Sequence, residues 1–169
     1  VVSVEAREKR TNPVPPFTTS KLQQGAARSL GFTVRRTMQV AQRLYENGYI
    51  TYMRTDSTSL SESALTAART QAREMYGAEY VPDAPRHYEK KVKNAQEAHE
   101  AIRPTEVARR PKDTKAFLDS DQARLYELIW LRTMASQMES AELKISQPIH
   151  VTRPPTTAQI APWVVAFDQ

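Results

Sequence analysis

Apolar and polar positions along this chain change period several times, and each change marks an element. Residues 1–7 alternate, with Val2, Val4 and Ala6 on one side, which predicts a short strand. Asn12-Pro-Val-Pro-Pro16 follows as a stiff connector, because proline fixes φ and lacks an amide donor. The spacing then becomes helical. Leu22, Ala26, Ala27 and Leu30 form a stripe, Ser20 and Gln23 suit a capping box, and Gly31 supplies a stop. A second helix is predicted from Thr33, with Val34, Met38, Ala41 and Leu44 or Tyr45 toward the core. Arg36, Gln39 and Arg43 fall on its other face. Asn47-Gly48 ends it, and residues 49–54 then read as extended.

A third helix is expected over residues 60–76, with Ser59 and Glu62 as its capping box and Gly77 as its end. Its buried side would be Ala64, Leu65, Ala68, Ala72 and Met75. Residues 81–88 are broken by proline and read as loop. Residues 90–93 are a basic run, and a short helix is predicted over 94–102, ended by Pro104. Pro111 and its charged neighbours read as another loop. The longest helix is expected at 121–138, with Leu125, Leu128, Ile129 and Met134 inward. Residues 143–151 return to a strand pattern, and Pro148 there suggests an edge.

The pattern is therefore mainly α with short β segments, two strand-like ends bracketing a helical body. That layout suits a helical domain inserted into a β-rich one, since the ends of an insertion must come back together. Helix, glycine turn, helix and short extended segment is the order of a helix-turn-helix of the winged kind. The expected divisions are residues 1–15 as strand and linker, 16–139 as helical body, and 140–169 as the return. Residues 153–169 carry prolines and Trp163 and match no motif.

Composition narrows the partners. The length of 169 residues suffices for one domain or one domain with an appendage, and roughly 70% of the unfolded surface can be buried at this size. There is no cysteine, so a disulfide framework or thiolate zinc site is excluded from this segment. That is compatible with the cytoplasm. No apolar run approaches a membrane span, and no signal peptide is visible. The chain starts at Val1 rather than methionine and reads as a piece of a longer protein. Net charge is +5, and the last thirty residues are neutral, so the surplus lies in residues 1–139, with the motifs. A basic balance favours polyanions such as nucleic acid.

The chemistry centres on Gly48-Tyr-Ile-Thr-Tyr-Met-Arg-Thr-Asp-Ser57. In an extended chain residues i and i+2 share a face, so the Tyr52 phenol and the Arg54 guanidinium would project together. A phenol that attacks phosphate needs such help. Only about 0.1% of a free phenol is ionised at neutral pH, and a nearby cation favours the phenolate while neutralising phosphate charge. Tyr45 and Tyr49 are close decoys, but only Tyr52 would share a face with Arg54. The alternative for Arg54 is a surface ion pair with Asp56.

Three blocks occur in order: Pro16-Phe-Thr-Thr-Ser-Lys-Leu-Gln-Gln24, then residues 48–57, then Ala95-Gln-Glu-Ala-His-Glu-Ala-Ile-Arg-Pro-Thr105. Together they resemble the bacterial DNA topoisomerase I family, the type IA enzymes. The resemblance implies that Tyr52 is a nucleophile that cuts one DNA strand and holds the 5′ phosphate as a phosphotyrosine. It implies that Arg54 binds the scissile phosphate and that His99 contacts a phosphate near the cut. Arg103, four residues on, would share a helix face with His99, or else cap the helix. Arg36 and Arg43 are further candidates for phosphate contact. So are hydroxyls of Thr18, Thr19, Ser20, Thr55, Ser57 and Thr58, each of which could equally cap a helix or a turn. Glu97 and Glu100 read as surface ion pairs.

The resemblance further implies Mg²⁺ held by acidic residues on a domain absent from this chain, a bacterial cytoplasmic setting, and single-stranded or underwound DNA as substrate. There is no phosphate-binding glycine loop, and resealing through a phosphotyrosine needs no ATP. The segment is expected to work with the rest of its own polypeptide, not with a membrane, and to be inactive alone. The rival reading is a non-catalytic winged-helix module that grips duplex DNA through the Arg36–Arg43 face. A third is a structural helical domain whose basic surplus is incidental.

Overall fold

The computed structural model describes residues 2–88 and 100–150, with 2–9 and 142–150 described by backbone alone. The basic run at 90–93, His99, most of the helix expected at 94–102, and residues 153–169 lie outside the described residues. Two compact units form, one spanning residues 12–141 and one made by the chain's two ends. The described part of the second is a pair of strands, β1 (Val2–Thr11) and β2 (Ala141–His150), bonded to each other as a two-stranded sheet. The alternation at both ends therefore reports real strands. Pro148 is tolerated there because each strand of a two-stranded sheet is an edge.

The larger unit is helical. Its helices are α1 (Thr19–Leu30), α2 (Val34–Glu46), α3 (Glu62–Tyr76), the short α4 (Pro111–Thr114) and α5 (Ser120–Ser136). The stops are where glycine and asparagine put them. Gly31 takes the left-handed conformation at φ 69°, and the amides of Gly31 and Phe32 bond back to Ala27 and Ala26, closing the last carbonyls of α1. The starts differ from expectation by one or two residues. Thr18, not Ser20, caps α1, and Ser61, not Ser59, caps α3. Runs of adjacent hydroxyls offer several caps, and tertiary contacts select among them. At α5, Asp119 and Gln122 form a full capping box. Pro111 starts the one-turn helix α4 where a loop was predicted, since its fixed φ suits a first helical position.

The buried stripe of α2 is Thr37, Val40, Ala41 and Leu44. Val34, expected inside, is 57% exposed. The stripe can pass through Thr37 because its hydroxyl donates to the Thr33 carbonyl at 2.9 Å, so that buried oxygen is paired. Leu125, Tyr126, Ile129, Trp130 and Met134 of α5 form the centre of the core, against which α1, α2 and α3 pack. Gly25 on α1 allows a close approach there: a Cβ at this position would lie 3.1 Å from the Phe17 ring.

The end of the helix expected at 94–102 is not helical. Residues 100–104 run extended, with Ile102 bridged to Phe17 and Pro104 to Ile50. The long-range pairing partners override local helical spacing at this point.

Candidate active site

The three sequence blocks, far apart in the chain, are bonded to one another through residues 101–105. The Ile102 amide donates to the Phe17 carbonyl at 2.8 Å, joining the third block to the first. The Thr51 amide donates to the Arg103 carbonyl at 2.9 Å, and the Thr105 amide to the Tyr49 carbonyl at 3.0 Å, joining the third to the second. The Thr51 hydroxyl donates to the Ala101 carbonyl at 2.7 Å and accepts from the Arg103 amide at 3.0 Å. Phe17, Ile50, Met53 and Ile102 bury their side chains in one cluster, so each block contributes an anchor to the core. A positive φ of 73° at Gly48 turns the chain out of α2 into this arrangement.

Residues 49–54 are less regular than a strand. Among the described residues their only bridge is at Ile50, and the chain bends at Thr51 and Met53. Burial alternates only around Met53, which is buried, while Tyr52 (49% exposed) and Arg54 on either side are open to solvent; Ile50, which strict alternation would put with them, is buried. Among the described residues neither the Tyr52 hydroxyl nor the Arg54 guanidinium has a hydrogen-bond or ion-pair partner, and no ion pair joins Arg54 to Asp56. The Tyr52 ring is steadied edge-on by Tyr45, with centroids 5.3 Å apart. Tyr45 is thus not a core residue; Leu44 takes that position.

Other tyrosines have different chemistry. The Tyr126 hydroxyl donates to the Arg109 carbonyl at 2.6 Å, and burial pushes its pKa well above that of a free phenol. The Tyr88 hydroxyl donates to the Ser136 carbonyl at 2.9 Å, and burial raises its pKa too. Both are locked as neutral structural groups. Tyr49 packs edge-on to Tyr126 at 6.0 Å, with the Arg109 guanidinium over its ring.

Arg54 opens onto a cavity of about 830 Å³ between the connector before α1, the first turns of α1 and the Arg54 segment. Lys21, Arg28, Arg54 and Arg132 line it, and Asp56 is the acidic residue at its wall. Tyr52 is not part of the lining. Arg132 lies over the Phe17 ring at 4.3 Å, and burial, with Arg28 nearby, lowers its pKa. Clustered cations with one carboxylate to balance them favour an anion in the cavity. Sequence reasoning missed Lys21, Arg28 and Arg132. The first two were legible, since residues 21, 24, 25 and 28 share one face of a helix. Arg132 comes from α5 and had no local signal.

The other predicted contacts are placed differently. Arg36 forks onto Asp121 at 2.7 and 2.8 Å, and Arg43 lies 3.8 Å from Asp119, so both face the N-terminus of α5. Arg103 bonds Glu100 at 2.7 and 3.2 Å and spends a further donor on the Pro104 carbonyl at 2.9 Å. Residues 100–104 are not helical, so Arg103 stands on no helix; His99, its expected neighbour, lies outside the described residues. Glu100 also accepts from the Ser61 amide at 2.7 Å, so it is the ion-pair member expected and a fastener for the start of α3. Burial would raise the Glu100 carboxyl, but the hydrogen bonds from Arg103 and Ser61 outweigh it and hold its pKa below the usual range. Thr55 and Ser57 each accept the amide two residues on, at 3.1 Å, as turn-forming hydroxyls do. Thr18 caps α1.

Among the described residues no group of three or more His, Asp or Glu could hold a metal ion, so no Mg²⁺ donor set is found in them. No described helix is long and apolar enough to cross a membrane.

These features meet a family pattern. A family model described as DNA topoisomerase matches residues 1–152. The chain belongs to that family. It is 64% identical over 142 residues to DNA topoisomerase 1 of Mycolicibacterium smegmatis, covering 83% of this chain and 15% of that protein. It is 61% identical over 142 residues to DNA topoisomerase 1 of Streptomyces coelicolor, with the same coverage. Among solved structures it matches full-length topoisomerase I from Thermotoga maritima with TM-score 0.73 and 43% identity, over 88% of this chain and 24% of that one. The chain thus spans about 15% of the length of the bacterial relatives it matches.

Proposed function

We propose that this chain is the tyrosine-bearing part of a type IA DNA topoisomerase, which cuts one DNA strand, passes another through the gap and reseals it. The observation that carries this reading is an exposed phenol, free of hydrogen bonds among the described residues, two positions from an equally unpartnered guanidinium that opens onto a cation-lined cavity. Tyr52 attacks a phosphodiester in line. The new bond joins its oxygen to the 5′ phosphate, the bond to the 3′ oxygen breaks, and the phenolic proton ends, in net terms, on the released 3′ hydroxyl. One phosphodiester replaces another, so resealing needs no ATP. Arg54 offers fixed positive charge to the extra negative charge of the pentacoordinate transition state, the kind of term that is often largest in catalysis.

The same reading covers the finer architecture: α1, the Gly31 turn and α2 as a helix-turn-helix of the winged kind, and the helical unit as an insertion in a β-rich hinge domain. It sets the segment within a longer polypeptide in the bacterial cytoplasm, acting on single-stranded or underwound DNA. Mg²⁺ would be bound by an acidic domain outside this chain. His99 stays in the proposal as a phosphate contact, and Arg103 joins it by exchanging Glu100 for DNA. The pairing of Arg36 and Arg43 with carboxylates weighs against the rival duplex-binding module.

The test uses the longer enzyme with Mg²⁺ and end-labelled single-stranded DNA, quenched with denaturant to trap a protein–DNA adduct. Tyr52→Phe should abolish the adduct and leave DNA binding intact. An adduct that survives the change assigns the nucleophile elsewhere.

A further inference from the structure

The Thr19 side chain sits between the start of α1 and the Tyr52–Arg54 segment, and its bonding is unusual. Its hydroxyl accepts the Thr55 amide at 2.8 Å and donates toward the Met53 carbonyl at 2.8 Å, with the Thr55 carbonyl at 3.1 Å. Its own amide donates to the Thr55 carbonyl at 2.9 Å. Among the described residues, these are the only hydrogen bonds made by the backbone of residues 53–55. Thr19 lines the cavity beside Arg54, yet the one donor of its hydroxyl is spent inside the protein, so it is not the free phosphate donor that the sequence allowed.

We infer that Thr19 is a positioning residue for strand cleavage, whose hydroxyl fixes the two peptide planes on either side of Arg54 and so aims the guanidinium. The Met53 carbonyl and the Arg54 amide belong to one rigid peptide unit, and the Arg54 carbonyl and the Thr55 amide to the next. One oxygen that holds both units sets φ and ψ at Arg54, and with them the direction of its side chain. The anchor is itself rigid. Thr19 opens a helix whose Leu22 and Ala26 are fully buried, and buried Met53 pins the segment from the other side. An irregular segment with one bridge thereby gains the fixed geometry that an electrostatic contribution to catalysis needs.

The inference rests on the cleavage reading of Tyr52 and Arg54, and the test separates the two. In the full-length enzyme, single-turnover adduct formation is measured at saturating single-stranded DNA, with DNA affinity measured separately without Mg²⁺. Thr19→Val keeps the shape and removes both bonds. It should slow cleavage on the order of 10- to 100-fold with affinity nearly unchanged, and Thr19→Ser should restore the rate. In an Arg54→Ala background, Thr19→Val should cost little more, since it acts through Arg54. The inference is overturned if Thr19→Val cleaves at the parent rate, if Thr19→Ser is as slow as Thr19→Val, or if the losses of Thr19→Val and Arg54→Ala multiply. Should Thr19→Val not fold, Thr19→Cys, a weak donor and acceptor of similar size, takes its place, and an unslowed rate overturns the inference equally. An adduct formed by Tyr52→Phe would sink the cleavage reading itself, whereas a dead Tyr52→Phe beside a normal Thr19→Val sinks only the role of Thr19.

Discussion

Two sets of cations on this unit differ in what faces them. On one side Arg36, Arg43 and Arg103 each meet a carboxylate, Asp121, Asp119 and Glu100 respectively. On the other, Lys21, Arg28, Arg54 and Arg132 line one cavity and none is ion-paired to a carboxylate among the described residues. The two pairs on α2 are exposed and add little to stability, the Arg103–Glu100 pair is half-buried, and in all three the partners cancel each other's field. Four cations against the one carboxylate of Asp56 leave a positive field that favours an external anion. The contrast separates cations already paired with a carboxylate from cations that outnumber the one carboxylate, Asp56, at their cavity.

The largest break in this contrast is Arg54→Ala. Removing one prearranged charge from a transition state costs on the order of 100- to 1000-fold in rate. In the full-length enzyme we expect adduct formation to slow by that amount, while affinity for single-stranded DNA falls only slightly. A proportional loss of affinity would make Arg54 a general DNA contact rather than part of the cleavage machinery.

A second prediction concerns the half-buried Glu100–Arg103 pair. The folded-state pKa of Glu100 is depressed, so its contribution to stability is complete above the unfolded value of about 4.3 and disappears as pH falls through the folded value. Thermal melts of this chain from about pH 6 to about pH 3 should show an acid limb. Glu100→Gln should lower stability at neutral pH and flatten that limb. An unchanged limb would mean that other carboxylates govern acid sensitivity.

Much of this was legible in the chain because it is local. Gly31, Asn47-Gly48 and Gly77 end their helices where expected, and the alternation at both ends reports a strand pair. What failed depends on distant partners. Residues 18–20 all carry hydroxyls, and only the Thr55 segment, 36 positions on from Thr19, decides that Thr18 caps while Thr19 clamps. Residues 100–102 have helical spacing, yet Phe17 draws Ile102 into an extended bridge. The exposure of Tyr52 and Arg54 on either side of buried Met53 matches the expected alternation, which fails at buried Ile50, whereas the cavity needed Arg132 from the far end of the core.

The smallest expected effect tests the contrast most directly. Each phosphate contact on single strands contributes roughly 0.7 to the slope of log affinity against log salt. Arg28 is an exposed wall of the cavity with no carboxylate partner among the described residues, whereas Arg43 faces Asp119. Arg28→Ala should therefore reduce the magnitude of the slope by about 0.7, and Arg43→Ala should leave it unchanged, in titrations of single-stranded DNA against the full-length enzyme. Both side chains are exposed, so neither change perturbs the core, and folding should be equal in the two variants. If Arg43→Ala lowers the slope as much as Arg28→Ala, internal pairing does not decide which cations meet DNA. The strand path would then have to include the α2 face, and the duplex-binding reading would regain its footing.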